Sequence, residues 1–129
     1  MRYLLDTHIW LWMVLEPARL SHHVRIELER PGNELWLSPI SAWEALLLNA
    51  KRKIELPKDP AVWIAEAAAQ MREVALTLEI VLAAQHLQWP HRDPADRFLA
   101  ATAQVLDLTL VTADRQLLGL REIKTLANR

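Results

Sequence analysis

The chain alternates short apolar runs with helical segments that begin at a proline, and this alternation is the feature that most restricts its fold. A capping residue directly precedes proline at Ser38-Pro39, Asp59-Pro60 and Asp93-Pro94. Ser and Asp are favoured helix N-caps, and proline is tolerated at the first helical position. Short strands that alternate with helices predict an α/β fold with a parallel sheet covered by helices on both faces.

Five strands are expected where apolar residues cluster between turn signals. They are Tyr3–Leu5, Leu35–Leu37, Val74–Leu76, Thr109–Val111 and Ile123–Thr125. Seven helices are expected between and beside them, with caps read from the sequence. They are one ending near Leu15, one from the Ser21 cap to Glu29, one from the Ser38 cap to the basic run Lys51–Lys53, one from Asp59 to about Met71, one capped by Thr77, one from Asp93 to about Leu106, and a short one over Arg115–Leu118. Trp36 and Trp43 are expected to pack inside these elements.

The composition bounds the class of protein. A chain of 129 residues, 52% of them hydrophobic, suits a single domain over 1–129 with one ordinary core. The absence of cysteine excludes a disulfide scaffold, a thiolate metal site and a cysteine nucleophile. A formal charge of −1 gives no general attraction to nucleic acid. The apolar stretch Ile9–Leu15 is far shorter than the roughly 20 residues of a membrane span, so a soluble cytoplasmic protein without membrane association is expected.

Four acidic residues lie where the predicted fold makes them candidates for function. Asp6 and Asp114 directly follow strands, and ligands of parallel sheets bind beyond the carboxyl ends of the strands. Glu44 and Asp96 share helix faces with apolar residues at three- and four-residue steps. Each acid alone also has a structural explanation, because Asp is common in turns and at helix starts, and Asp93 is expected to be an N-cap.

The hypothesis is that these four acids converge. Clustered carboxylates repel one another unless a cation is present, and oxygen ligands without thiolates suit Mg²⁺ or Mn²⁺. Such ions bind substrate phosphates, which implies hydrolysis of a phosphodiester bond by an activated water.

Four segments in the expected order resemble the PIN-domain ribonucleases, and within them the VapC-type toxins of bacterial toxin–antitoxin pairs. The resemblance covers nearly the whole chain. The segments are Leu4-Leu5-Asp6-Thr7-His8, Ser38-Pro39-Ile40-Ser41-Ala42-Trp43-Glu44, His91-Arg92-Asp93-Pro94-Ala95-Asp96-Arg97 and Leu110-Val111-Thr112-Ala113-Asp114. One departure is Ala95, where the resembled subgroup usually carries a large aromatic residue.

The resemblance implies a three-layer α/β/α sandwich and an endoribonuclease that depends on Mg²⁺ or Mn²⁺. Asp6, Glu44, Asp96 and Asp114 would be both its catalytic and its metal-binding residues. It further implies a homodimer, and a cognate VapB-type antitoxin that can place a basic side chain among the acids. We expect supporting roles for Thr7, Asp93 and Thr112, and substrate positioning by His91, Arg97 and Arg115.

Two other functions remain open from the sequence. The same PIN fold could serve as a non-catalytic protein- or RNA-binding module. A phosphoacceptor receiver domain is a more distant alternative, because such domains usually pair two acids after the first strand and here Asp6 stands alone.

Overall fold

The computed structural model describes all 129 residues, Met1–Arg129, and its centre is a parallel sheet of five strands. The strands are β1 (Arg2–Leu5), β2 (Glu34–Leu37), β3 (Arg72–Glu73), β4 (Thr109–Thr112) and β5 (Lys124–Ala127). Their order across the sheet is β3-β2-β1-β4-β5, and every neighbouring pair is parallel.

Seven α-helices connect and cover the strands. They are α1 (Thr7–Leu15), α2 (His22–Glu29), α3 (Pro39–Ala50), α4 (Pro60–Ala68), α5 (Leu78–His86), α6 (Pro94–Leu106) and α7 (Arg115–Leu118), with one 3-10 turn at Pro17–Arg19. The longest has 13 residues, and none combines the length and the apolar character that crossing a bilayer requires.

The helices form two layers because the central strands bury side chains on both faces. Tyr3 and Leu5 of β1 pack into one apolar cluster with residues of α1, α2 and α4. Leu4 points the opposite way, into a second cluster formed largely by α5, α6 and α7. Strands buried on both faces are typical of parallel sheets in α/β proteins. The expected three-layer sandwich is therefore present.

The chain order reverses between β1, the middle strand of the sheet, and its neighbour β4. Leu5 pairs with Val111 at the ends of these strands, and the Asp6 N–H continues the pairing with a hydrogen bond to the Val111 carbonyl at 3.0 Å. A reversal of this kind opens a crevice at the carboxyl edge of a parallel sheet. The residues that follow β1 and β4 therefore meet at one place.

Most of the helix caps inferred from the sequence form. Ser38, Asp59, Thr77 and Asp93 each accept a hydrogen bond from a backbone N–H in the first turn of the helix that follows. Ser21 occupies the N-cap position of α2 but makes no capping bond, because its hydroxyl lies 3.3 Å from His23 Nδ1 instead.

The third and fifth strands differ from their expected positions. The third was expected at Val74–Leu76, but β3 covers Arg72–Glu73, because its partner β2 ends at Leu37 where Ser38 begins the next helix. Val74 is still buried and its N–H still bonds to the Leu37 carbonyl, whereas the two residues after it are exposed. The fifth strand runs over Lys124–Ala127, later than the expected Ile123–Thr125, because it must continue beside β4 to Thr112.

Two further expectations, on α4 and α3, need correction. The helix expected to reach Met71 ends at Ala68, and Met71 leads directly into the edge strand. Trp43 was expected to be packed, but it is 55% exposed on α3, because the face of that helix turned toward the sheet carries the buried Ser41 and Ala45 instead.

Candidate active site

One pocket at the carboxyl edge of the sheet brings the four predicted acids together. It has a volume of about 370 Å³. Its lining residues, which define what we call the acid pocket, are Asp6, Thr7, His8, Trp12, Glu44, Asp93, Asp96, Ala113 and Asp114. The lining contains five carboxylates and no Lys or Arg, so the pocket has a strongly negative potential at neutral pH.

Asp6 is the most buried acid of the pocket, with 8% of its surface exposed. It directly follows β1 and is the N-cap of α1, where Oδ1 accepts the Thr7 N–H at 2.8 Å. Its Oδ2 accepts the Thr112 hydroxyl at 2.6 Å, and the same hydroxyl oxygen accepts the Asp114 N–H at 3.0 Å. Burial raises the pKa of the Asp6 carboxyl, and the hydrogen bonds from the Thr112 hydroxyl and the Thr7 N–H oppose that rise. Thr112 therefore connects the acids that follow β1 and β4.

Glu44 reaches the pocket from α3 and is half-buried. Its Oε1 accepts the Thr7 hydroxyl at 2.5 Å, and the Thr7 hydroxyl lies 3.0 Å from Ser41 Oγ. Burial raises the pKa of Glu44, and the charge of nearby Asp6 raises it further. Thr7 is thus hydrogen-bonded to two acids of the pocket, through its N–H to Asp6 and through its hydroxyl to Glu44.

Asp96 lies in the first turn of α6 and its side chain is 13% exposed. His91 Nε2 is 2.7 Å from Asp96 Oδ2. Burial raises the pKa of Asp96 to about 6, the His91 contact opposes this, and the charges of Asp93, Asp6 and Asp114 add to the rise. This carboxyl is therefore held in a site where its negative charge is unfavourable without a cation.

Asp93 and Asp114 cap helices and face the pocket at the same time. Asp93 Oδ1 accepts the Ala95 N–H at 2.9 Å, and Asp114 Oδ1 accepts the Gln116 N–H at 2.8 Å. Oδ2 of each has no hydrogen-bond partner in the protein and remains available for a ligand. Each residue can therefore cap its helix through Oδ1 and bind a ligand through Oδ2, so a capping role and a role in the site are compatible.

The donor set fits a hard divalent cation. The pocket offers carboxylate oxygens, and burial raises the pKa of three of these carboxyls, which is the signature of charges that lack a counterion. The group of three whose ligand atoms all lie within 4.8 Å of one another is His91, Asp93 and Asp96. No other three of these acids form so tight a group. Mg²⁺ and Mn²⁺ usually keep several waters, so the other acids could bind such an ion through water.

The three residues expected to position substrate have different surroundings. His91 contacts Asp96, and its ring packs against Trp89 with the centroids 4.7 Å apart. Arg115 is exposed and follows Asp114, outside the acid pocket. Arg97 is not among the residues that line the acid pocket, and its guanidinium donates five hydrogen bonds to main-chain carbonyls, so a role in positioning substrate stays a prediction. The accepting carbonyls belong to Ala84, Leu87, Trp89 and His91.

The structure also adds residues that sequence reasoning did not select. Ser41 is fully buried beside Thr7 and lies three residues before Glu44, on the same face of α3. That helical spacing was the available signal. Trp12 lines the pocket together with His8, and their rings stand 5.8 Å apart.

Comparison with known proteins gives consistent results. The PIN domain family model matches residues 3–123. Ribonuclease VapC22 from Mycobacterium tuberculosis is 35% identical over 116 residues, which cover 88% of each chain.

Solved structures with the same fold include chains of VapBC complexes. One is VapBC2 from Rickettsia felis bound to a promoter DNA fragment, with TM-score 0.74 and 16% identity over 98% of both chains. Another is VapBC-1 from nontypeable Haemophilus influenzae, with TM-score 0.72 and 18% identity over 98% of both chains. A third is DNA-bound VapBC from Salmonella typhimurium, with TM-score 0.74 and 15% identity over 100% of this chain and 99% of that one. At these identities the likeness establishes the fold.

Proposed function

Because this chain belongs to the PIN-domain family and is related to a VapC ribonuclease, we propose that it is an endoribonuclease toxin of a toxin–antitoxin pair. The observation that carries the proposal is the acid pocket, in which Asp6, Glu44, Asp96 and Asp114 line one cleft at the reversal point of the sheet. We propose that the single PIN domain over 1–129 acts in the cytoplasm, where its RNA substrates are found.

The four acids would hold Mg²⁺ or Mn²⁺, directly or through water, with Asp93 as a further oxygen donor. Such an ion supplies activation of a water nucleophile and stabilisation of negative charge on the phosphate oxygens. The protein's own residues keep the acids in place: Thr112 holds Asp6 and the Asp114 backbone, and Thr7 holds Asp6 and Glu44. Fixed, mostly desolvated carboxylates of this kind spare the site from reorganising when substrate arrives.

An antitoxin of the VapB type would inhibit the enzyme by presenting a basic side chain to the acid pocket. A guanidinium is planar and permanently charged, so it can pair with two carboxylate oxygens and replace the cation. The structural neighbours named as VapBC complexes support a partner of this class. A homodimer is the assembly we propose for the toxin itself.

The test is cleavage of a mixed cellular RNA pool by the purified chain with Mg²⁺, with Mn²⁺ and with EDTA. We expect discrete products with either ion and none with EDTA. Asp6→Asn should abolish cleavage and leave the far-ultraviolet circular dichroism unchanged. The matched control is Glu79→Gln, because Glu79 is an exposed acid on α5 outside the pocket, and this variant should cleave like wild type.

Full activity of Asp6→Asn would refute the assigned site. Absence of cleavage by correctly folded wild type under all conditions would instead favour a non-catalytic PIN-fold module that binds protein or RNA.

A further inference from the structure

A second pocket lies next to the acid pocket and has the opposite electrostatic character. It has a volume of about 480 Å³. Its lining residues, which define what we call the basic pocket, are Trp89, Pro90, His91, Arg92, Arg115, Gln116 and Gly119. It therefore contains two arginines, one histidine and no acid.

The two arginines have no partner inside the protein. Neither Arg92 nor Arg115 forms an ion pair or donates a side-chain hydrogen bond, and both are exposed. The guanidinium of Arg97, in contrast, donates its hydrogen bonds to main-chain carbonyls. Arg92 and Arg115 are thus free to bind an external anion.

Three residues of the basic pocket are adjacent to acids of the acid pocket, two of them in sequence and one through a side-chain contact. Arg92 directly precedes Asp93, and Arg115 directly follows Asp114. His91 lines the basic pocket and contacts Asp96 of the acid pocket at 2.7 Å. A ligand that reaches both pockets must carry an anionic group beside the group that meets the acids.

The neighbouring pocket that shares His8 and Trp12 with the acid pocket does not offer the same chemistry. It is lined by two cations, Arg19 and Lys53, and by two acids, Glu16 and Glu55. Arg19 lies 3.9 Å from Glu16 and also packs over the Trp12 ring, 4.4 Å from its centroid. The charges there balance, whereas those of the basic pocket do not. An anion therefore has a reason to prefer the basic pocket.

We propose that the basic pocket binds a backbone phosphate of the RNA strand, adjacent to the phosphate that is cleaved in the acid pocket. This rests on the proposed function, since it takes RNA as the substrate. Arg92 and Arg115 neutralise the flanking phosphate and so draw a polyanion toward a cleft that is itself acidic. Guanidinium groups suit this task because they match phosphate geometry and stay charged. Phosphate contacts fix the register of the strand without selecting a sequence.

The experiment measures binding separately from cleavage. A fluorescent single-stranded oligouridine is titrated with Asp6→Asn protein, with Mg²⁺ and with EDTA, across a series of salt concentrations. The same titration is repeated with Asp6→Asn protein that also carries Arg92→Gln, Arg115→Gln or both substitutions. Arg25→Gln is the matched control, because Arg25 is an exposed arginine without an ion pair on α2, in the other helix layer.

Each arginine substitution should weaken binding by about five- to tenfold at low salt and flatten the logarithmic salt dependence by about 0.7 per lost contact. In proteins that retain Asp6, the same substitutions should raise KM while leaving kcat nearly unchanged, because the phosphate contact is made equally in ground and transition states. The melting temperature should stay within experimental error, as expected for exposed residues.

Binding and salt dependence that match the Arg25→Gln control would overturn the inference, and so would a loss confined to kcat. Unchanged RNA binding together with weakened binding of an acidic peptide would assign the pocket to a protein partner instead. If the arginine variants lose RNA affinity but the wild-type protein does not cleave RNA, the phosphate-binding site is supported and the nuclease function is refuted. The two failures are therefore distinguishable.

Discussion

The Asp96 carboxyl keeps its proton to a higher pH than an ordinary aspartate, because burial beside other acids disfavours its charge. Its pKa in the folded protein is about 6, against an ordinary value of 3.8. A raised folded pKa contributes stability that is present below the unfolded pKa and is lost as pH rises through the folded one. Metal-free protein therefore folds against a penalty at neutral pH.

Asp96→Asn should remove that penalty. In EDTA near pH 7 we expect the variant to be more stable than wild type by about 1 to 3 kcal/mol, and the difference should vanish as pH falls toward about 4. Thermal unfolding at several pH values measures this, with Glu79→Gln as the exposed control. A variant that is less stable than wild type at neutral pH would mean that the Asp96 charge stabilises the fold through His91.

Thr112 is the residue on which two acids depend at once. Thr112→Val keeps the shape of the side chain but leaves the buried Asp6 oxygen and the Asp114 N–H without their partner. We expect a loss of about 1 to 3 kcal/mol of stability, because unsatisfied buried polar groups are costly. Since the hydroxyl favours the charged form of Asp6, its removal raises the pKa of Asp6 further, and the stability loss should be larger near neutral pH than in acid.

Denaturant unfolding in EDTA at two pH values tests this expectation. Thr112→Ser is the control that keeps the hydroxyl, and it should lie close to wild type. A Thr112→Val variant as stable as wild type would show that these hydrogen bonds do not contribute to stability, whereas a loss confined to the Ser variant would assign the effect to packing of the methyl group.

At the level of elements, Arg97 determines the shape of the segment between α5 and α6. Its guanidinium binds carbonyls from Ala84 to His91 and so holds the segment that places His91 against Asp96. Arg97→Lys should fail to replace it, because an ammonium has three donors at one point and cannot span these carbonyls. We expect a stability loss of about 2 to 4 kcal/mol, since hydrogen bonds from a charged group are among the stronger ones.

Limited trypsin digestion reports on the same segment directly. Cleavage after Arg92 should become faster in Arg97→Lys than in wild type, whereas Arg25→Gln should leave it unchanged. Unaltered protection of that bond would show that other contacts are sufficient to hold the segment.

Elements with strong local signals were predictable from the sequence, and those defined by partners were not. Asp59-Pro60 and Asp93-Pro94 announce helix starts that the structure confirms. The edge strand β3 consists of Arg72 and Glu73, which have no apolar pattern, and pairing with β2 alone defines it. Arg72 is held there by an ion pair with Glu34 at 3.2 Å. Contacts of this kind depend on residues distant in sequence, so local patterns could not indicate them.

The residues of the site also divide into those that local sequence indicates and those that depend on contacts with distant residues. The positions of Asp6 and Asp114 after strands made them recognisable, and the family resemblance that they carry is confirmed by the family match. The main-chain contacts of Arg97 could not be predicted, because a basic residue next to an acid motif gives no sign of which carbonyls it will face. The pairing of Thr7 with Ser41 depends on the packing of α1 against α3, which the sequence does not specify.

At the level of the whole molecule, metal binding and stability should be coupled. Folding brings the acids together at the reversal point of the sheet, and burial there raises the pKa of three of them. A ligand that binds only the folded state stabilises it, by about 2.7 kcal/mol at a hundred times its dissociation constant. For a chain of this length that corresponds to an increase of about 10 °C in melting temperature. Mn²⁺ or Mg²⁺ should therefore raise the melting temperature of wild type, and EDTA should reverse the rise.

The same coupling has a definite pH dependence. Protons compete with the cation for Asp6, Glu44 and Asp96, whose pKa values are all raised by burial. The metal-induced shift should thus shrink as pH falls from about 7 to about 5, while the metal-free protein becomes relatively more stable. Asp6→Asn and Asp96→Asn together should suppress the shift at every pH, and Glu79→Gln should retain it. A shift that persists in the double variant, or that NaCl of equal ionic strength reproduces, would place the cation outside the acid pocket and remove the physical reason for four acids to converge there.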